Sequence, residues 1–471
     1  MGARASRLRV TKNAVGMPVC PAKLAFLSAD RKVLQEPQMT TDNQFPGGSM
    51  SHKVISNKAK ILIFAVSFVI LLYGASAAFF AKDAYKELAI FMDVIQKIRD
   101  EYVEIPDMDK VHEGAMRGLF DALDPYSTFL TREQFEELEK RGAAGSAGVG
   151  MVVFKRSDVA HAVSVQEEGA ADKAGIRPGD YLLSVNGVEV HNKSLFEVNN
   201  LLHGNPGTGV KLTVFRENQT GPQDIELTLQ EPASVQVTSR MLDGNIGYLR
   251  ITSLSNTSVE QARVNLKTLV SAGAEKILLD LRGCAEGDPA AGAEIANFFL
   301  KEGIIYFSQD RNGVKLDVIN ASPKKFLTDL PMALLINRSS AGAAEIISGT
   351  LKDHKRAKLI GERTFGIGSS QTTIKLKSGA ALILSTAKYC TPDGHIIQAD
   401  SARNSGIEPD FESPDTSTRQ DLAVESYYDY DEGDDDKYRK IMEKIQQIQL
   451  DKALEVLSGR EVIAEPLKKA A

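Results

Sequence analysis

Tryptophan is absent from the 471 residues, and cysteine nearly so. The three cysteines, Cys20, Cys284 and Cys390, cannot build a disulfide framework, and no CxxC pair or Cys/His spacing suited to zinc occurs. Seven scattered histidines lack the HExxH pattern. No metal or cofactor is therefore expected. A charge excess is also missing: 56 Lys and Arg stand against 62 Asp and Glu, a net charge of −6, so the basic footprint of a nucleic-acid partner is absent. At 43% apolar and 25% charged, the composition excludes a mainly disordered chain, a collagen-like repeat and a polytopic membrane protein. The length suits two to four domains.

What is present begins with an uncharged run, Ile61 to Phe80, reading ILIFAVSFVILLYGASAAFF. Twenty helical residues span about 30 Å, one bilayer core. Lys53, Lys58 and Lys60 precede it, and the cationic side stays cytoplasmic, so the bulk of the chain is expected outside the cytoplasm, periplasmic or at the cell surface. Residues 61–81 read as a transmembrane anchor or as a signal peptide with Ala75-Ser76-Ala77 as its cleavage site. Residues 1–60 are a cytoplasmic or disordered stretch, or in part an over-extended start, with Met50 as the natural beginning.

Downstream, residues 84–141 carry apolar positions at helical spacing, with a turn at Asp124-Pro125-Tyr126-Ser127 and a capping box at Thr131 and Gln134. Residues 142–232 are rich in glycine and short strands, with Asn186-Gly187 as a hairpin turn. Residues 233–411 alternate strands and helices, which predicts an α/β core with a mixed sheet. An acidic, tyrosine-rich loop and a final amphipathic helix fill residues 412–471. The fold class is α/β, or α+β taken over several domains.

Several blocks in order resemble the C-terminal-processing peptidases, or tail-specific serine proteases: Gly118 to Ser127; Gly148-Val149-Gly150-Met151; Ala174 to Asp180; Asp280-Leu281-Arg282; Gly361 to Gly366; Thr391-Pro392-Asp393-Gly394; and Gly406 to Asp410. The resemblance covers roughly residues 90–457. It implies a PDZ domain over residues 142–232 and a peptidase-like core over residues 233–411. Val149, Gly150, Met151 and Val152 fall where the resemblance places the carboxylate loop and the strand edge that takes a peptide. A glycine-rich loop exposes N–H groups to an anion, and a strand edge accepts an extended chain. The implied partners are peptide or protein C-termini, with a homodimer or an active paralogue as further partners left open.

The family's chemistry is a Ser–Lys dyad, in which a desolvated lysine activates a serine hydroxyl. The resemblance implies a Ser-Ala-Ser-Ala-Ser-Glu-Ile block whose middle serine attacks, a lysine 25 positions later, and an orienting glutamine four beyond. This chain reads Ser340-Ala341-Gly342-Ala343-Ala344-Glu345-Ile346, so Gly342 stands at the nucleophile position and Ile367 at the base position, at the same spacing, with Gln371 retained. The family's Asn-Pro-Gly-Gly turn after Asp-Leu-Arg is replaced by Gly283-Cys284-Ala285-Glu286-Gly287, which would set a carboxylate beside a developing oxyanion. The expectation is a proteolytically inactive member that binds C-termini. An active endopeptidase with a displaced nucleophile such as Ser339 or Ser340, and a scaffold or regulator of an active paralogue, are the alternatives.

Overall fold

The computed structural model describes residues 88–459 apart from 142–146, 157–158, 192, 217–218, 220, 232–235, 400–403, 416 and 421–434. The apolar run at 61–80 and the start at Met50 lie outside the described residues, and among the described residues no helix is long and apolar enough to cross a membrane. Residues 88–101 are helical.

The core is built on a six-stranded sheet whose spatial order follows the chain: Val237–Leu242, Ile246–Ile251, Lys276–Asp280, Met332–Ile336, Ala357–Gly361, Phe411–Glu412. Its first pair is antiparallel and the rest are parallel. Parallel strands covered on both faces must be apolar throughout, and Met332–Ile336 is buried at every position. The helices Asn256–Ser271, Pro289–Asn297 and Ala343–Asp353 are the crossovers, and Leu266, Ile295, Ile347 and Leu334 share one cluster beneath them. On the other face Leu278 and Leu335 pack with Ala453 and Leu454 of the C-terminal helix Asp435–Leu457.

The mixed sheet expected from sequence is only half of the core. A second, antiparallel sheet joins Thr128–Leu130, Ala381–Cys390, Ile304–Gln309 and Lys315–Asn320 in that order, with Ser369–Lys375 also paired to Ala381–Cys390. The Asp124 turn is anchored to it. Asp124 accepts from the Tyr126 and Ser127 amides and the Ser127 hydroxyl, each at 2.8 Å, and the Ser385 amide donates to Ser127 Oγ.

The glycine-rich segment forms its own antiparallel sheet: Met151–Arg156, Val159–Val165, Tyr181–Val185, Gly209–Phe215, Gln223–Thr228. Val188–Glu189 pairs with Tyr181–Val185 through the Asn186-Gly187 turn, where both residues take positive φ. A helix, Leu195–Leu201, starts from a Ser194/Glu197 capping box. Met151–Arg156 is an edge strand of this sheet.

Candidate active site and peptide groove

The strand Met332–Ile336 runs into a turn and then into the helix Ala343–Asp353, and Gly342 caps that helix at φ +60°, ψ −115°. A strained strand-to-helix turn of this kind displays the nucleophile in α/β-hydrolases. A Cβ built on Gly342 would meet nothing within 4 Å, so a side chain there has room but must adopt a left-handed backbone. The Gly342 amide donates to Glu345 Oε2 at 2.9 Å, and the Ile367 amide donates to the same oxygen at 2.7 Å. The nucleophile and base positions named from sequence are thus neighbours across one carboxylate oxygen.

Glu345 is the hub that sequence reasoning missed, where it stood only as one residue of the Ser340–Ile346 block. Its side chain is fully buried, and Oε1 also accepts from the Thr364 hydroxyl at 2.5 Å and the Gly366 amide at 2.7 Å. Burial pushes its carboxyl up to about 7, against the pull of those four hydrogen bonds. The available signal was its place three residues after the helix cap, where a Glu reaches back to the cap amide.

Gln371 is not brought in. It lies exposed on Ser369–Lys375 and its amide donates to the Ser369 carbonyl at 3.1 Å. Ser340 is fully buried, with Oγ donating to the Leu281 carbonyl at 2.8 Å, and Ser339 Oγ donates to the Val163 carbonyl at 2.7 Å. Burial raises the Cys284 thiol far above its ordinary range, with Glu286 and Asp280 adding to the effect.

The Asp280-Leu281-Arg282 motif is an internal brace. Arg282 pairs with Asp280 at 2.6 Å and reaches the Gln446 carbonyl and Gln449 Oε1 on the C-terminal helix, while Tyr248 donates to Asp280 at 2.6 Å. Burial opposes ionisation of Asp280, but Arg282 outweighs it and holds the carboxyl below its usual range. In the turn that follows, the Gly283 amide donates to Asn337 Oδ1 and the Cys284 amide to the Leu281 carbonyl, so both N–H groups are spent internally. Leu254 accepts from the Asp288 amide and donates to the Glu286 carbonyl, both at 2.9 Å, and a Cβ on Gly287 would lie 2.4 Å from Leu254. The turn is pinned.

Two hydrogen bonds join the turn region to the glycine-rich sheet: Ser164 Oγ to the Gly283 carbonyl at 3.0 Å, and Ser339 to Val163. Phe154 of the edge strand stacks edge-on against Phe365 at 5.1 Å and lies 5.7 Å from Tyr126, whose hydroxyl is buried without a partner among the described residues. Of the four residues expected to take a peptide, Val149 is buried and Gly150, Met151 and Val152 are half-buried. The Val149 and Gly150 carbonyls accept from the Ala171 and Gln166 amides at 2.8 Å, which fixes the loop beside the open edge of Met151–Arg156.

Two family models match the chain: "Peptidase family S41" over residues 245–413 and "PDZ domain" over residues 161–216. A carboxy-terminal-processing protease of Bartonella bacilliformis is 31% identical over 334 residues, covering 70% of this chain and 76% of that protein. The carboxy-terminal processing protease CtpA of Bacillus subtilis is 33% identical, covering 71% of each. Among solved structures, a photosystem II D1 C-terminal processing protease superposes with a TM-score of 0.57 at 26% identity, over 69% of this chain and 92% of the other.

Proposed function

The chain belongs to peptidase family S41, and from that premise we propose that it is a proteolytically silent member, tethered to a membrane and facing away from the cytoplasm, that binds peptide or protein C-termini through its PDZ domain. One observation carries the reading. Where the dyad would stand, two backbone positions meet on Glu345, and they bear a hydrogen atom and an isoleucine. Glycine offers no nucleophilic atom and isoleucine cannot titrate. Losing a complete nucleophile–base unit removes on the order of 10⁶ in rate. The hydroxyls at Ser339 and Ser340, both committed to carbonyls, speak against a displaced nucleophile. The groove rests on the open edge of Met151–Arg156 and the loop before it. The apolar run with its basic flank supports the tether.

The test is cleavage of an unstructured substrate with an apolar C-terminus, followed by mass spectrometry. Wild type should be silent. Gly342→Ser with Ile367→Lys should give weak turnover, raised further by Glu286→Gly. Robust cleavage by the unmodified protein, abolished by Ser340→Ala, overturns the reading. For the tether, the chain should sediment with membranes and resist a salt wash; a soluble species trimmed after Ala77 overturns that part.

A further inference from the structure

A cavity of about 210 Å³ opens at the PDZ glycine loop, floored by Gly148, Gly150 and Met151, and the peptidase core contributes to its wall a residue from the altered turn: Glu286. Its backbone is held by the two hydrogen bonds with Leu254, and the close approach of Gly287 to Leu254 leaves the turn no room to slide. The docking bonds Ser164 to Gly283 and Ser339 to Val163 fix that turn against the PDZ strand. The placement of Glu286 at the loop is therefore a property of the fold.

The charge of the cavity is one-sided. Its titratable lining comprises Glu167, Glu168, Glu231, Glu286 and His203. Glu167 is paired with Arg250. Among the described residues no cation pairs with Glu168, Glu231 or Glu286. Among the described residues no group of three or more His, Cys, Asp or Glu could hold a metal ion. Spread acids around a peptide groove match flexible ammonium or guanidinium side chains, and like charge opposite them is repelled.

We propose that Glu286 makes this groove selective for C-terminal tails that carry Lys or Arg within their last three residues, and exclusive of acidic tails. This rests on the peptide-binding reading of the PDZ domain. The loop amides would hold the terminal carboxylate, and Glu286, with Glu168 and Glu231 beside it, would read the side chains next to it. A glutamate in this turn thus opposes an oxyanion on one side and recruits a basic tail on the other.

The test uses the purified full-length chain and fluorescence anisotropy with labelled ten-residue peptides. They differ only at two of the last three positions (Lys-Lys, Gln-Gln or Glu-Glu), each as free acid and as amide. The Lys-Lys acid should bind about tenfold tighter than the Glu-Glu acid at low salt, the ratio shrinking as salt rises. Glu286→Gln should lower that ratio about threefold, and Glu286→Lys should lower it further. Glu286 is exposed, and far-UV circular dichroism checks that the variants fold. Equal binding of Lys-Lys and Glu-Glu acids, or a ratio unmoved by Glu286→Gln, overturns this inference alone, provided free acids still outbind amides. Equal binding of acids and amides overturns carboxylate capture. Absence of binding by every peptide overturns both.

Discussion

A single carboxyl, Glu345, collects donors from the helix cap at Gly342 and from the Thr364–Ile367 loop, and it sits at about 7 because burial disfavours its charge. The sign of its linkage follows. In the unfolded chain the group has its ordinary value near 4.5, so between that pH and 7 the folded state binds the extra proton. Its contribution is then fully present below pH 4.5 and declines as pH rises toward 7, by a few kcal/mol at about 1.4 kcal/mol per unit. The Thr364 hydroxyl and the Gly342, Gly366 and Ile367 amides pull the other way without reversing the direction. Urea midpoints at pH 5 and pH 8 should differ more in wild type than in Glu345→Gln. The amide cannot accept from all four donors, so the variant should be weaker at both pH values by about 1–3 kcal/mol. A variant with the wild-type pH slope would assign the slope to other groups.

The helix Asn256–Ser271 shows how local rules act. Ser255 Oγ accepts from the Ser258 amide at 3.2 Å, Ser258 Oγ accepts from the Ser255 amide at 2.7 Å, and Ser255 also donates to Gln236 at 2.6 Å. Ser255→Ala should lower stability by about 1–2 kcal/mol in a denaturant titration, without changing the fold. Elements of this kind were legible in the sequence. The alternation over residues 233–411 includes Lys276–Asp280 and Met332–Ile336, which are almost continuously apolar because both faces of the sheet are covered. The second sheet was not legible, for physical reasons. Lys315–Asn320 is exposed at every position and exists through its pairing with Ile304–Gln309, not through its own pattern. Thr128–Leu130 is three residues long, and its neighbour Ser127 meets Ser385, 258 residues later. For the site, the family resemblance, with its 25-residue spacing kept, paired Gly342 with Ile367. The role of Glu345 and the placement of Glu286 at the PDZ loop depend on tertiary contacts that no single segment encodes.

The PDZ sheet and the core meet through specific contacts that include two serine hydroxyls, each on a carbonyl of the other part, the Glu167–Arg250 ion pair, the cation–π contact of Arg177 with Tyr438, and the packing of Phe154 and His161 on Phe365. Ser164→Ala with Ser339→Ala removes both bonds while leaving each sheet its own core. Amide hydrogen exchange should then rise in residues 147–165 and 283–287 and stay unchanged in Lys276–Asp280. No change in the first two segments would place the docking energy in the Glu167–Arg250 pair and the aromatic contacts instead. The strand order of the core carries a different consequence, in the order of synthesis. Each strand of the six-stranded sheet adds beside the one made just before it, so that sheet can grow as the chain lengthens. The antiparallel sheet cannot, because Ala381–Cys390 is its common partner and comes last. A nascent chain halted at residue 375 would hold five of the six strands of one sheet, while Thr128–Leu130 and Ile304–Gln309 waited, far apart in sequence, for the strand that joins them.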